Sequence, residues 1–76
     1  MKDLKAVATE IGRRHGYDRA DYCEAYGGNP RARLEVPLYL CEVARYYLAG
    51  YSAGLRRYRR EQAAEAAEYA RAHVGG

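Results

Sequence analysis

The chain has 76 residues, with 13 lysines and arginines against 10 acidic residues, for a formal net charge of +3. A chain of this length forms one domain, here residues 1–76, whose small core argues against a deep substrate cleft. Nine tyrosines supply every aromatic ring, because phenylalanine and tryptophan are absent. Tyrosine joins a ring that can be buried to a hydroxyl that needs a partner, so we expect part of this surface to be shared with a binding partner.

Two short helices are predicted at the start of the chain, over about residues 4–15 and 18–26. Apolar residues recur at helical spacing in the first helix, Asp3 is a suitable N-cap, and Gly16 is expected to end it. The second helix starts with closely spaced acidic residues and is expected to stop at Gly27-Gly28.

A third, brief helical element is expected after Asn29, because asparagine is a good N-cap and Pro30 a good first helical residue. Pro37 limits its length, since the residue before a proline avoids the helical region. A long C-terminal helix then covers about residues 37–74, where apolar side chains alternate spacings of three and four. The predicted buried stripe consists of Cys41, Ala44, Leu48, Tyr51, Leu55 and Tyr58, and Tyr47 is assigned to it as well. The predicted fold class is all-α, a small helical bundle of three to five helices.

Gly50 and Gly54 interrupt the long helix. Each glycine costs about 1 kcal/mol relative to alanine in a helix interior. Because they lie four residues apart, they share a face that another helix, from this chain or from a second copy, can approach closely. The alternative is a bend or break of the helix at Gly50–Gly54. Tyr39 falls off the buried stripe, and we group it with the two glycines as a candidate dimer or helix contact.

Side chains suited to catalysis are scarce: the chain has one serine, one threonine, two cysteines and two histidines. None of them lies in a recognisable catalytic or phosphate-binding motif. The cysteines and histidines also lack the close ligand pairs that make zinc motifs specific. His15 and His73 are instead expected to complement the negative ends of the first and the last helix. We therefore expect no enzymatic activity, no metal site and no cofactor.

The N-terminus lacks the uninterrupted apolar stretch of a secretory signal, and no run of the sequence reaches transmembrane length. A cytoplasmic protein without a membrane partner is therefore expected. In that compartment Cys23 and Cys41 are predicted to be free thiols that pack as small apolar groups.

The sharpest sequence feature is the arginine cluster at residues 56–60. Between residues 27 and 60 there are seven arginines and only two acidic residues, and arginine binds phosphate or carboxylate through two-point contacts. Arg57 is expected to pair with Glu61, four residues later, and Tyr58 to point with the buried stripe. A solvated face that only improves solubility is the alternative interpretation of the cluster. The predicted partner-binding residues are Arg45, Tyr46, Arg56, Arg59 and Arg60.

Residues 45–54, RYYLAGYSAG, contain an aromatic-Leu-x-Gly-aromatic-x-x-Gly run, and Gly16-Tyr17 lies upstream. Over about residues 13–57 this pattern resembles the ribosome modulation factor family of short basic bacterial proteins. The family favours tryptophan at its aromatic positions and has a Cys-Pro-Tyr element, whereas this chain has tyrosine and lacks the tripeptide. The resemblance implies a ribosome- or RNA-binding factor that docks through the arginines.

A second resemblance is one of type and not of motif. A very short chain rich in alanine, glycine, arginine and tyrosine, without catalytic residues, is similar to the small inhibitors that bacteriophages encode, including anti-CRISPR proteins. This resemblance implies a non-enzymatic protein that occludes a protein or ribonucleoprotein target with an anionic surface, which is our leading hypothesis. A third hypothesis is a self-associating helical module whose tyrosine stripe and Gly50/Gly54 face form the dimer contact. Separately, the acidic patch of Asp18, Asp21 and Glu24 is suited to pair with the arginine cluster of a second copy, so a homodimer is plausible.

Overall fold

The computed structural model describes residues 3–32 and 34–74. Within these residues all regular structure is helical: α1 covers Leu4–Tyr26, a 3₁₀ helix covers Leu38–Val43, and α2 covers Ala44–Val74. The all-α prediction is confirmed, but the expected three to five helices are wrong, since the described chain has two α-helices. Neither of them combines the length and the apolar character that crossing a membrane requires.

α1 is one helix where the sequence predicts two, over residues 4–15 and 18–26. Asp3 caps its start as expected, because its side chain accepts a hydrogen bond from a backbone N–H of the first turn at 3.1 Å. Gly16 does not end the helix. It is buried against the backbone of Tyr51 in α2, so this glycine serves the packing of the two helices and not a cap.

The end of α1 follows the sequence prediction. Gly27 and Gly28, directly after the last helical residue, take positive φ angles of 86° and 111°. Gly27 combines its φ with a ψ of 168°, a backbone conformation that is essentially confined to glycine. The glycine pair therefore turns the chain where a residue with a side chain would be strained.

The chain then runs back along α1 as the return segment, which we define as residues 27–32 and 34–43. The third helix expected after Asn29 is wrong: the chain makes a single turn there, in which the Asn29 side chain accepts a hydrogen bond from the backbone N–H of Arg31 at 2.9 Å. Pro37 precedes the 3₁₀ helix, so the long helix predicted from residue 37 becomes α-helical only at Ala44.

α2 is long and bent, but it is not broken at Gly50–Gly54. Both glycines lie against α1 of the same chain. A Cβ atom built on Gly50 would fall well inside 3.0 Å of the carbonyl oxygen of Thr9, and one on Gly54 equally close to that of Arg13. The glycine face that the sequence offers to another helix is therefore occupied within the chain.

α1 contributes a matching pair of glycines. A Cβ atom on Gly12 would collide with the carbonyl oxygen of Tyr47, and one on Gly16 with that of Tyr51. Each helix thus carries two glycines four residues apart, and the two backbones touch directly. Such close approach maximises van der Waals contact and brings Cα–H groups against carbonyl oxygens.

The two helices run in the same direction. Thr9, near the start of α1, lies beside Gly50, and Tyr17, further along α1, bonds to Glu61. Residue numbers therefore increase in the same direction along both helices. Helices joined by short loops are antiparallel neighbours. Here the return segment travels back to the start of α1 before α2 begins, which makes the parallel arrangement possible.

The core lies between the helices and the return segment. Among the described residues, Leu40 of the 3₁₀ helix and Leu55 of α2 are the largest fully buried side chains. Cys23 is buried and Cys41 is exposed, and both are free thiols. The tyrosines of the predicted stripe are buried as expected; they are Tyr47, Tyr51 and Tyr58. The stripe is wrong at Cys41 and Leu48, which are exposed.

The molecule is a flat, elongated body with extents of 55 × 28 × 14 Å. The last turn of α1 contacts α2 at Tyr58, through Glu24. Beyond this contact, residues 63–73 of α2 are all exposed. The C-terminal part of α2 therefore projects past the end of α1.

Candidate binding surface

The end of the tyrosine stripe lies beside acidic residues of α1. The Tyr58 hydroxyl donates a hydrogen bond to Glu24 Oε2 at 2.6 Å, and Asp21 Oδ1 lies 3.4 Å away. The hydrogen bond to Glu24, and then desolvation, raise the pKa of Tyr58. Two members of the acidic patch that the sequence offers to a second copy thus have a partner inside the chain.

The free energy of unfolding is expected to fall as the pH rises above about 10. The folded state keeps the Tyr58 proton, because its pKa is raised above 10.0, while the unfolded chain releases it near that pH. The folded state then binds more protons than the unfolded state, so stability declines with pH. The pKa values of Tyr17, Tyr47 and Tyr51 are raised as well and act in the same direction.

Circular dichroism melts between about pH 8 and 11 will measure this decline as a fall in Tm. In the Tyr58→Phe variant the fall in Tm should be smaller, because the variant lacks the Tyr58 hydroxyl, whose pKa is raised in the folded state. An identical pH dependence in both proteins would show that the Tyr58 hydroxyl does not contribute.

Arg57 is occupied within the fold. Its Nε donates a hydrogen bond to Glu61 Oε1 at 3.1 Å, and its guanidinium lies 5.8 Å from the ring centroid of Tyr17. The Tyr17 hydroxyl donates to the same carboxylate. These bonds lower the pKa of Glu61, the one from Tyr17 most strongly. The predicted pairing of Arg57 with Glu61 is confirmed.

Other arginines of α2 share its outer face, away from α1. Arg45 and Arg56 are about three helical turns apart and point the same way, and Arg60 follows about one turn later. Arg59 lies at the edge of this face. All four are exposed, and none of them forms an ion pair with another described residue. We call Arg45, Arg56, Arg59 and Arg60 the arginine face.

Small side chains separate these arginines. Ala49 and Ser52 lie between Arg45 and Arg56 on the same side of the helix, and Ala63 follows Arg60 one turn later. A partner can therefore approach the helix closely while the long arginine side chains reach around it.

The carboxylates of α2 lie on the opposite side of the helix. Glu61, Glu65 and Glu68 follow spacings of four and three and so share one side. Glu61 identifies that side as the one that faces α1, through its bond with Tyr17. The positive and negative charges of α2 are thus segregated, and the arginine face carries no carboxylate of this helix.

Tyr46 does not lie on the arginine face. It follows Arg45 by one residue and is therefore rotated about 100° from it, and the Lys5 ammonium lies 5.4 Å from the centre of its ring. Tyr39 is 68% exposed in the 3₁₀ helix. The structure therefore brings together the predicted arginines and places Tyr46 on a different side of α2.

Comparisons of the chain with known proteins identify no relative. No protein-family model, curated protein or solved structure matches the chain. The resemblances to ribosome modulation factors and to phage inhibitors therefore stay predictions from the sequence.

The two histidines differ in how well the sequence predicts them. His15 is expected to complement the end of a first helix, which is wrong because α1 continues past it; instead its Nδ1 lies 2.8 Å from the Tyr47 hydroxyl. His73 lies in the last turn of α2 as expected, with Nδ1 2.8 Å from the carbonyl oxygen of Tyr69.

One group of exposed residues was missed by the sequence reasoning. His15, Arg19, Tyr22 and Tyr26 follow spacings of four, three and four, so they line one side of α1. An open cleft of about 490 Å³ adjoins this side, between α1 and the return segment. The spacing from Arg19 to Tyr26 lies within the helix predicted over residues 18–26, but the sequence does not show that this side stays exposed beside a cleft, because that depends on the path of the return segment.

Proposed function

We propose that this chain is a non-enzymatic binding protein that covers an anionic surface of a ribonucleoprotein, in the manner of the small phage-encoded inhibitors. The arginine face is the observation that supports this proposal. It presents exposed arginines without ion-pair partners among the described residues, on a side of α2 without carboxylates. Phosphates suit such a face, because each guanidinium can bind phosphate oxygens through two hydrogen bonds.

The shape of the molecule favours action by occlusion. From Arg45 to Arg60 the arginine face is about 22 Å long, and the body behind it is 55 Å long and 14 Å thin. A thin body attached along one helix covers a surface and does not enclose a ligand. Binding would therefore act by blocking access to the phosphates beneath it.

A second candidate is an RNA- or ribosome-binding factor, as the likeness to ribosome modulation factors implies. It is favoured by the segregation of charge on α2, which suits a plain phosphate backbone. Self-association through Gly50 and Gly54 loses its basis, because α1 covers both glycines. The two remaining candidates differ in whether protein components of the target are needed.

Salt dependence tests the contact with phosphates. If Arg45, Arg56 and Arg60 each neutralise one phosphate, the slope of log affinity against log salt should be about −2 to −3. Affinity for purified bacterial ribosomes should then fall about 20- to 40-fold between 50 and 200 mM salt. A flat response would contradict the phosphate contact and point to an acidic protein surface. Binding of naked RNA as tight as that of ribosomes would favour the second candidate.

A charge-matched pair of variants tests the position of the contact. Arg56→Ala/Arg60→Ala should make the salt slope shallower by about 1.5 to 2 units. Lys5→Ala/Arg14→Ala removes the same charge from α1 and should leave the slope unchanged. If both variants lose the same affinity, binding depends on net charge and not on the position of the arginines. If Arg56→Ala/Arg60→Ala binds as the wild type does, the arginine face is only a solvated surface.

A further inference from the structure

Two tyrosines at the end of α1 are largely exposed to solvent. Tyr22 is 53% exposed and Tyr26, one turn later, is 78% exposed. Their ring centroids lie 4.9 Å apart with the planes inclined by 43°. The guanidinium of Arg19 lies 5.4 Å from the centroid of the Tyr22 ring. Two rings and one cation thus form a cluster on the surface.

This cluster takes no part in the core. The hydroxyls of Tyr17, Tyr47, Tyr51 and Tyr58 all bond to acceptors or donors inside the fold. Tyr22 and Tyr26, in contrast, make no hydrogen bond to another described residue and do not belong to the buried cluster or its lining. Their ring surface is therefore available to a ligand.

The cluster adjoins the cleft between α1 and the return segment. Tyr47 and Tyr51 form the inner wall of this cleft, and Arg19 and Tyr22 lie at its edge. Asp18 and Glu35 also line the cleft. A carboxylate repels phosphates but accepts hydrogen bonds from the amino groups of bases.

Arg31 links this region to the arginine face. It belongs to the return segment, and its Nη1 donates a hydrogen bond to Ser52 Oγ at 3.4 Å. Ser52 lies on the arginine face, between Arg45 and Arg56. Positive charge therefore continues from the outer side of α2 toward the cleft and the exposed tyrosines.

We propose that Tyr22, Tyr26 and Arg19 form a stacking site for bases of single-stranded RNA. This inference rests on the proposed function and specifies which part of the ribonucleoprotein is bound. Aromatic rings and guanidinium planes stack on unpaired bases, whereas bases within a duplex are not accessible for stacking. The arginine face holds the backbone, and the tyrosine pair holds the bases of the same strand.

The test compares a single-stranded RNA oligomer that contains 2-aminopurine with an abasic oligomer of equal phosphate number. Tyr22→Ala/Tyr26→Ala should weaken binding of the first about 10-fold or more and abolish the quenching of 2-aminopurine. The same variant should bind the abasic oligomer as the wild type does. Tyr22→Phe/Tyr26→Phe should keep both properties, and Tyr39→Ala is the control for loss of an exposed tyrosine elsewhere. The single Tyr26→Ala variant repeats the test if the double variant fails to fold.

Each contrary outcome has a defined meaning. The stacking site is overturned if the alanine variant binds the base-containing oligomer as the wild type does, or if it loses both oligomers equally. A wild type that binds the two oligomers equally well, in a manner dependent on Arg56 and Arg60, overturns the stacking site and leaves the proposed function intact. A wild type that binds neither oligomer overturns the stacking site, while ribosome binding still decides the proposed function separately.

Discussion

Gly50→Ala is expected to lower the free energy of unfolding by about 3 kcal/mol, and Gly50→Ala/Gly54→Ala to leave little folded protein. The new methyl group would meet the carbonyl oxygen of Thr9. A backbone atom in the middle of a helix cannot move aside as a flexible side chain can, so the two helices must separate. The separation would loosen the packing between the helices along the core. A domain of this size has a total stability of only about 4 to 11 kcal/mol, so the loss at both glycines leaves little of the folded state.

Urea denaturation followed by circular dichroism will measure this loss. In a helix without tertiary contacts, replacing glycine by alanine stabilises the helix by about 1 kcal/mol. A lower free energy of unfolding in Gly50→Ala would therefore result from the contact with α1. Ala49→Ser adds one heavy atom to the outer side of the same helix and should change stability by no more than about 0.5 kcal/mol. A Gly50→Ala variant as stable as the wild type would mean that α1 does not pack here.

Leu55→Ala should lower the free energy of unfolding by about 2 to 5 kcal/mol. Leu55 is 1% exposed and packs in the core between α2, α1 and the return segment. Removing three side-chain carbons there leaves a cavity. The helices cannot move closer to fill it, because their backbones already touch at the glycine contacts. The loss is a large fraction of the stability of so small a domain.

Leu48→Ala provides the matched control for this prediction. Leu48 lies on the same helix but is 38% exposed, so its truncation should cost less than about 1 kcal/mol. Chemical denaturation of the two variants under identical conditions will give the difference. Equal losses would show that Leu55 is not the buried position that the fold requires.

Three local features of the fold were predicted correctly, whereas two other local predictions, the helix end at Gly16 and the helix after Asn29, were wrong. The alternation of three and four along α2 predicts the buried side of Tyr47, Tyr51 and Tyr58, because that spacing defines one side of a helix wherever it packs. The cap at Asp3 and the turn at Gly27 are likewise local, since each depends on backbone groups within a few residues.

The candidate surface shows the same division. The pairing of Arg57 with Glu61 follows from helical spacing and was predicted. Tyr46 was grouped with the arginines, although helical geometry turns it about 100° away from Arg45, and only the structure shows that its ring lies beside Lys5 of α1. The exposed pair Tyr22 and Tyr26 lies within a helix that was predicted, but its exposure depends on the path of the return segment, which local spacing does not encode.

The sequence by itself determined the helical class, the buried tyrosines of α2, the cap at Asp3, the end of α1 at Gly27 and the pairing of Arg57 with Glu61, since all of these follow from interactions within a few residues. Only the tertiary structure decided what each glycine does. Gly16 and Gly27 look equally able to end a helix, yet the first lies inside α1 because the backbone of Tyr51 occupies the space of its missing side chain. That contact, and with it the parallel pairing of the helices, depends on residues more than thirty positions apart, which no local pattern encodes.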